Sequence, residues 1–130
     1  MVLDSSAIVA IEAKEPGFQE LIARIDRAER VLIGSPTALE AVMVLTSRRR
    51  SDATAWVAGF LRSVDADVVP FSELHFEAAA RAYLRFGKGR HPAALNFGDC
   101  MAYAVSKVAK EPLLYTGNDF ARTDIAAIEG

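Results

Sequence analysis

Four short apolar runs, Met1-Val2-Leu3, Val31-Leu32-Ile33, Asp67-Val68-Val69 and Leu113-Leu114-Tyr115, alternate with stretches of helical periodicity along the whole chain. Such alternation constrains the fold more than any other feature. Strands that are hydrophobic throughout and separated by helices build a parallel sheet covered on both faces, joined by right-handed crossovers. The expected class is therefore α/β, a three-layer domain with four to five parallel strands. The fifth strand would come from Ile125 to Ile128.

The helices are read from spacing and punctuation. Phe18, Leu21, Ile22 and Ile25 fall on one face of a helix starting near Pro16. Ser35-Pro36 is an N-cap and first-turn signature, and Leu39, Val42, Met43 and Leu45 carry that helix to about Arg48. Asp52 is placed to cap a helix with Trp56, Val57, Phe60, Leu61 and Val64 on its face. Pro70 ends the third strand, and Ser72 caps a helix that stops at Gly87. Lys88 to Gly98 reads as a basic, Gly- and Pro-containing loop before a helix carrying Met101, Ala104, Val105 and Val108. No repeat, low-complexity tract or linker divides the 130 residues, so one domain spanning 1–130 is expected.

Composition narrows the class of function but does not choose one. The single cysteine, Cys100, excludes an internal disulfide and fits a reducing compartment. No run is long and apolar enough for a membrane span and no signal peptide is visible, so a cytoplasmic protein is expected. A net charge of −2 gives no global reason to bind a polyanion. Contact with one would require local basic patches or a bound cation.

Asp4 stands where the first strand hands over to a helix, the place where open α/β sheets put their chemistry. Glu40 lies near the start of the helix after the second strand, Asp99 opens the helix after the basic loop, and Asp119 follows the fourth strand. In a parallel sheet the strands' carboxyl ends point one way, so these four acids converge on one edge. Gathered carboxylates repel one another unless a cation neutralises them, and an oxygen-only set suits Mg²⁺ or Mn²⁺. Each acid also has a structural reading. Asp4 fits an N-cap, Thr37 to Glu40 fits a capping box, Asn96 to Asp99 has similar spacing, and Asp119 after Gly117-Asn118 fits turn chemistry. Four separate caps would have no reason to share an edge.

These residues carry a family resemblance. Val2-Leu3-Asp4-Ser5-Ser6-Ala7, Leu39-Glu40, Gly98-Asp99-Cys100-Met101-Ala102-Tyr103-Ala104 and Leu113-Leu114-Tyr115-Thr116-Gly117-Asn118-Asp119-Phe120 resemble the PIN-domain ribonucleases, in particular the VapC toxins of type II toxin–antitoxin pairs. The likeness runs to about Asp124. Gly87-Lys88-Gly89-Arg90-His91-Pro92 leading into Leu95-Asn96-Phe97-Gly98-Asp99 resembles one VapC subgroup. The resemblance implies a Rossmann-like PIN fold and a Mg²⁺-dependent endoribonuclease. Asp4, Asp99 and Glu40 would be metal ligands, and Asp119 would complete the catalytic set. Many relatives have an acid where this chain has Asn118, so Asn118 and Asp124 stay open for that fourth position. The resemblance also implies a homodimer and silencing by a VapB-like antitoxin.

Ser6 and Thr116 are hydroxyls near the acids that could orient water or phosphate, or simply cap. Lys88, Arg90 and His91 are placed to grip RNA phosphates, whereas Arg48, Arg49 and Arg50 read as a solvated helix end. Neither His75 nor His91 has a spaced zinc partner, and Cys100 falls on an apolar helix side. Two other functions fit the sequence: a catalytically inactive PIN-like protein-binding module, and a PIN nuclease of RNA processing outside toxin–antitoxin systems. A receiver domain does not fit, because Pro70-Phe71-Ser72 stands where its phosphoacceptor acid belongs.

Overall fold

The computed structural model describes residues 1–126. Val2–Leu3 (β1), Leu32–Gly34 (β2), Asp67–Val69 (β3) and Leu113–Leu114 (β4) form one sheet in the order β3-β2-β1-β4. Every pairing is parallel, with Val2 opposite both Leu32 and Leu113, and Leu32 opposite Asp67. The expected sheet is therefore present with four strands among the described residues. Leu113 N–H does donate to the carbonyl of Ala126, which lies in the segment expected to give the fifth strand, at 2.9 Å. The remainder of that segment, 127–128, lies outside the described residues.

β1, β2 and β4 are buried on both faces, whereas the edge strand β3 is largely exposed, and the two-residue period sorts side chains between two cores. Leu3, Ile33 and Leu114 face one side, where they meet Ile8, Ile25, Leu45, Val57 and Leu61 from Ser5–Glu12 (α1), Phe18–Arg27 (α2), Ser35–Arg49 (α3) and Thr54–Ser63 (α4). Val2, Leu32 and Leu113 face the other, against Ala78, Ala82 and Phe86 of Glu73–Phe86 (α5) and Val105 of Phe97–Ala109 (α6). Each fully buried side chain of the size of Leu3 or Ile33 contributes roughly 1.5–3 kcal/mol. The helices are thus held by the sheet far more than by intrinsic propensity.

Several element ends differ from the sequence reading, each for a local reason. Gly34, with extended backbone, takes the N-cap position of α3, so Ser35 is already helical. Gly34 also lets α6 come close, since a Cβ there would meet Val105 Cγ2 at 2.7 Å. With the cap one residue early, Thr37 sits inside the first turn and forms no capping box; its Oγ1 is buried without a hydrogen-bond partner. Ala53 is the cap of α4, and Asp52, one residue earlier, accepts from Thr54 N–H at 2.8 Å. Asn96 starts α6, so the basic loop ends before Phe97 and Asp99 is the helix's third residue. Tyr115 lies just beyond β4. Ser72 caps α5 as expected, its N–H donating to His75 Nδ1 at 2.9 Å. Among the described residues no helix is long and apolar enough to cross a membrane.

Candidate active site

Because β1 is central, Asp4 emerges between the loops that follow its two neighbours. Its backbone N–H donates to the Leu114 carbonyl at 2.9 Å, which fixes it against the end of β4. Its side chain caps α1: Oδ2 accepts from Ser6 N–H at 3.1 Å and from Ser6 Oγ at 2.6 Å. Ser6 Oγ in turn accepts from Thr116 N–H at 3.0 Å, so one serine couples Asp4 to the loop after β4. The capping reading of Asp4 is thus correct for one oxygen. The other, Oδ1, is buried and accepts nothing. An unmet buried acceptor of this kind costs about 1–3 kcal/mol, more when charged, unless something else meets it.

Glu40 and Asp99 come from two helices that cross where the second turn of α3 meets the first turn of α6. Ser5 Oγ donates to Glu40 Oε1 at 2.7 Å, joining α1 to α3. Asp99 and Asn96 cap α6 reciprocally, Asn96 N–H to Asp99 Oδ2 at 3.0 Å and Asp99 N–H to Asn96 Oδ1 at 2.9 Å. Gly98 makes the approach of Glu40 to α6 possible: a Cβ at this position would collide with the Glu40 carboxylate.

The electrostatics bring the four acids together. Burial is the chief cause that pushes the Asp99 carboxyl up to about 7, and the charges of Asp119, Asp4 and Glu40 add to it. Burial also raises Asp4 above the usual carboxylate range; its bonds from Ser6 oppose the shift and the Glu40 charge assists it. Among the described residues no three acid, histidine or cysteine side chains are gathered so that they could hold a metal ion as they stand. The cluster is open, with Glu40 turned to Ser5 and Asp99 to Asn96.

Asp124 is engaged elsewhere. It accepts from Tyr103 Oη at 2.5 Å, Lys107 Nζ at 2.9 Å and Arg85 Nη1 at 3.2 Å, which fastens the C-terminal segment to α5 and α6. Partial burial works against ionisation there, but these donors hold the carboxyl below its ordinary range. Of the three side chains open for the fourth position, Asp119 is the one whose charge reaches Asp99. Asp124→Ala is expected to cost about 2 kcal/mol of stability, measured by urea unfolding, because it strands the buried Tyr103 hydroxyl and disperses two cations. RNA cleavage by the folded variant should stay within a fewfold of wild type.

The basic residues divide. Lys88 and Arg90 are exposed, and the Arg90 guanidinium lies 5.6 Å from the centroid of the Tyr83 ring. His91 is part of its loop's own structure: Nδ1 accepts from Ala93 N–H at 3.0 Å and the ring meets Phe86 edge-on at 5.1 Å. Arg48 and Arg49 pair with Glu15 and Glu12 at 3.5 and 4.0 Å, as a solvated helix end would. Cys100 is buried and free, its thiol pushed up chiefly by burial. Sequence reading missed Ser5 as the partner of Glu40 and Gly98 as the space that Glu40 fills. A serine beside an acid and a glycine in the first turn of an acid-bearing helix were the available signals.

The PIN domain family model matches residues 1–126. Ribonuclease VapC36 of Mycobacterium tuberculosis is 40% identical over 126 residues, covering 96% of this chain and 91% of its own. Among solved structures, the sarcin–ricin loop cleaving toxin VapC20 of Mycobacterium tuberculosis superposes with a TM-score of 0.78 at 16% identity, covering 99% of this chain and 98% of that one. A toxin–antitoxin complex from Klebsiella pneumoniae gives 0.72 at 13% identity, covering 98% and 95%. The fold, the acids at the carboxyl edge of the sheet and these relatives agree: this chain belongs to the PIN-domain family, among the VapC ribonucleases.

Proposed function

We propose that this protein is a single-domain, cation-dependent endoribonuclease and the toxic member of a toxin–antitoxin pair. The observation that carries the reading is that the charges of Asp4, Glu40 and Asp119, which come from separate segments of the chain, all reach Asp99. The donor set fits a hard divalent cation, Mg²⁺ first and Mn²⁺ second, because all its ligands are oxygens. The unpaired Oδ1 of Asp4 is an acceptor already buried and without a proton donor. Asp4, Asp99 and Glu40 would hold the ion, with Asp119 completing the set through water.

A bound divalent cation supplies Lewis acidity toward a phosphoryl oxygen and lowers the pKa of water. The protein's part is placement. Ser6 locks Asp4 to the Thr116 loop and Ser5 aims Glu40, while Lys88, Arg90 and His91 would contact the RNA backbone. With a pKa near 7, Asp99 gives up its proton readily at neutral pH when positive charge arrives, so cation affinity should fall in acid.

Partners follow from the family and from exposed apolar side chains. Leu74, Phe76 and Leu84, all from α5, are each at least 60% exposed, large apolar side chains with no cover in the monomer. A second copy of the chain and a VapB-like antitoxin offering a basic side chain to the acids would use such surface, in the cytoplasm.

A thermal scan across millimolar Mg²⁺ or Mn²⁺ tests the reading. At a hundred times Kd the ion stabilises the fold by about 2.7 kcal/mol, a rise of roughly 10 °C in the midpoint. An unmoved midpoint with RNA left intact would favour the inactive protein-binding module. Cleavage without growth inhibition would favour RNA processing.

A further inference from the structure

Beside the acid edge lies a cleft of 220 Å³, lined by Thr37, Leu39, Glu40, Met43, Phe97 and Met101 among others. The volume equals that of about seven liquid waters, enough for one flat ring. Three features of it are unexplained by the acid cluster. Phe97, at the start of α6, is 78% exposed, the most exposed large apolar side chain among the described residues. The Thr37 hydroxyl is buried without a partner. Glu40 belongs to both the cleft and the cluster, so whatever fills the cleft touches the cleavage site.

We propose that this cleft is a base-binding subsite, which takes one unpaired nucleobase flanking the scissile phosphodiester. The inference rests on the ribonuclease reading and deepens it. A base offers what the cleft lacks: a π-face for Phe97 and a polar edge for Thr37. A purely apolar occupant would leave the hydroxyl unpaired. Met43 and Met101, which line the cleft with Thr37, are unbranched and adaptable, so they can yield as the ring enters. Charge order agrees with a nucleic-acid strand. Phe97 and Met101 also line a second cleft of 630 Å³ that includes Lys88, so a backbone crossing Phe97 runs from the cation-binding acids toward an exposed ammonium.

The test uses wild type, Phe97→Ala, Phe97→Tyr and Thr37→Val with Mg²⁺ and single-stranded RNA carrying an abasic nucleotide on either flank of the cleavage site. For wild type, the abasic nucleotide on one flank should lower kcat/KM by about five- to a hundredfold, the range that loss of one stacked base gives. Phe97→Ala should cleave base-bearing and abasic RNA equally slowly, and Phe97→Tyr should restore the difference. Thr37→Val removes an unpaired buried hydroxyl, so its thermal midpoint should rise by a few degrees while its preference among bases flattens. A merely structural Thr37 would move only the midpoint. An abasic penalty that persists in Phe97→Ala, or is absent on both flanks in wild type, overturns the proposal. So does a shift from dimer to monomer in Phe97→Ala with base discrimination unchanged, which would show that a second copy covers this face. If wild type cleaves no RNA, the ribonuclease reading fails and binding decides the cleft separately. A fluorescent purine analogue in the oligonucleotide should then be quenched by wild type and not by Phe97→Ala, and equal quenching overturns the assignment.

Discussion

Asp99→Asn is expected to lower RNA cleavage by about a thousandfold or more while the protein stays folded. Removing one carboxylate charge from the ion site forfeits several kcal/mol of transition-state stabilisation, and about 4 kcal/mol corresponds to that factor. The fold should survive because the amide oxygen of asparagine can still accept from Asn96 N–H, the bond that caps α6. Asp4→Asn should be as inactive but a less clean test. Its new NH₂ would occupy a buried site where Oδ1 has no partner, and a stranded donor costs about 1–3 kcal/mol. The measurement is single-turnover cleavage beside circular dichroism. Wild-type rates in folded Asp99→Asn would show that Asp99 does not hold the ion.

The same substitution should also make the cation-free protein more stable at neutral pH than wild type. The folded Asp99 carboxyl sits at about 7, above its ordinary value of 3.8. Below the lower value it is protonated folded or unfolded, and contributes no difference. Between the two values the unfolded chain ionises and the folded one does not, so stability falls as pH rises, and it levels off above the folded pKa. The full shift would correspond to about 4 kcal/mol, which partial exposure to water reduces to about 2 kcal/mol. Asp4 shifts in the same direction and persists in both proteins. In EDTA, urea unfolding at about pH 5 and about pH 8 should show wild type losing about 1 kcal/mol more than Asp99→Asn across that interval. Parallel losses would mean that Asp99 is not held protonated by its surroundings.

Much of this site could be read in advance because it depends on direction rather than on contacts. In a parallel sheet the residues after β1, β2 and β4 must share an edge, so Asp4, Glu40 and Asp119 were placed without knowing which strand lay beside which. The burial of Leu3 on one face and Val2 on the other likewise follows from strand periodicity. What was not legible depends on how helices cross. The collision that a side chain at Gly98 would have with Glu40 exists only because the second turn of α3 crosses the first turn of α6. Asp119 was favoured over Asp124 in sequence, but what engages Asp124 elsewhere shows only once α5 and α6 bring Arg85, Tyr103 and Lys107 around it. The capping box at Thr37 was misread because Gly34 lets β2 run directly into α3, one residue ahead of the serine that resembled the cap.

The central position of β1 also sets a timetable. Its first neighbour, β2, emerges soon after it, but β4 and the Thr116 amide that locks Ser6 lie more than a hundred residues downstream. Asp4 and Asp119 are about 115 residues apart. At the usual pace of translation that interval lasts roughly 6–23 s. Throughout it one edge of the innermost strand lacks its partner and the acid set lacks its last member. A chain that cuts RNA is thereby denied its active site while the ribosome beside it is still at work.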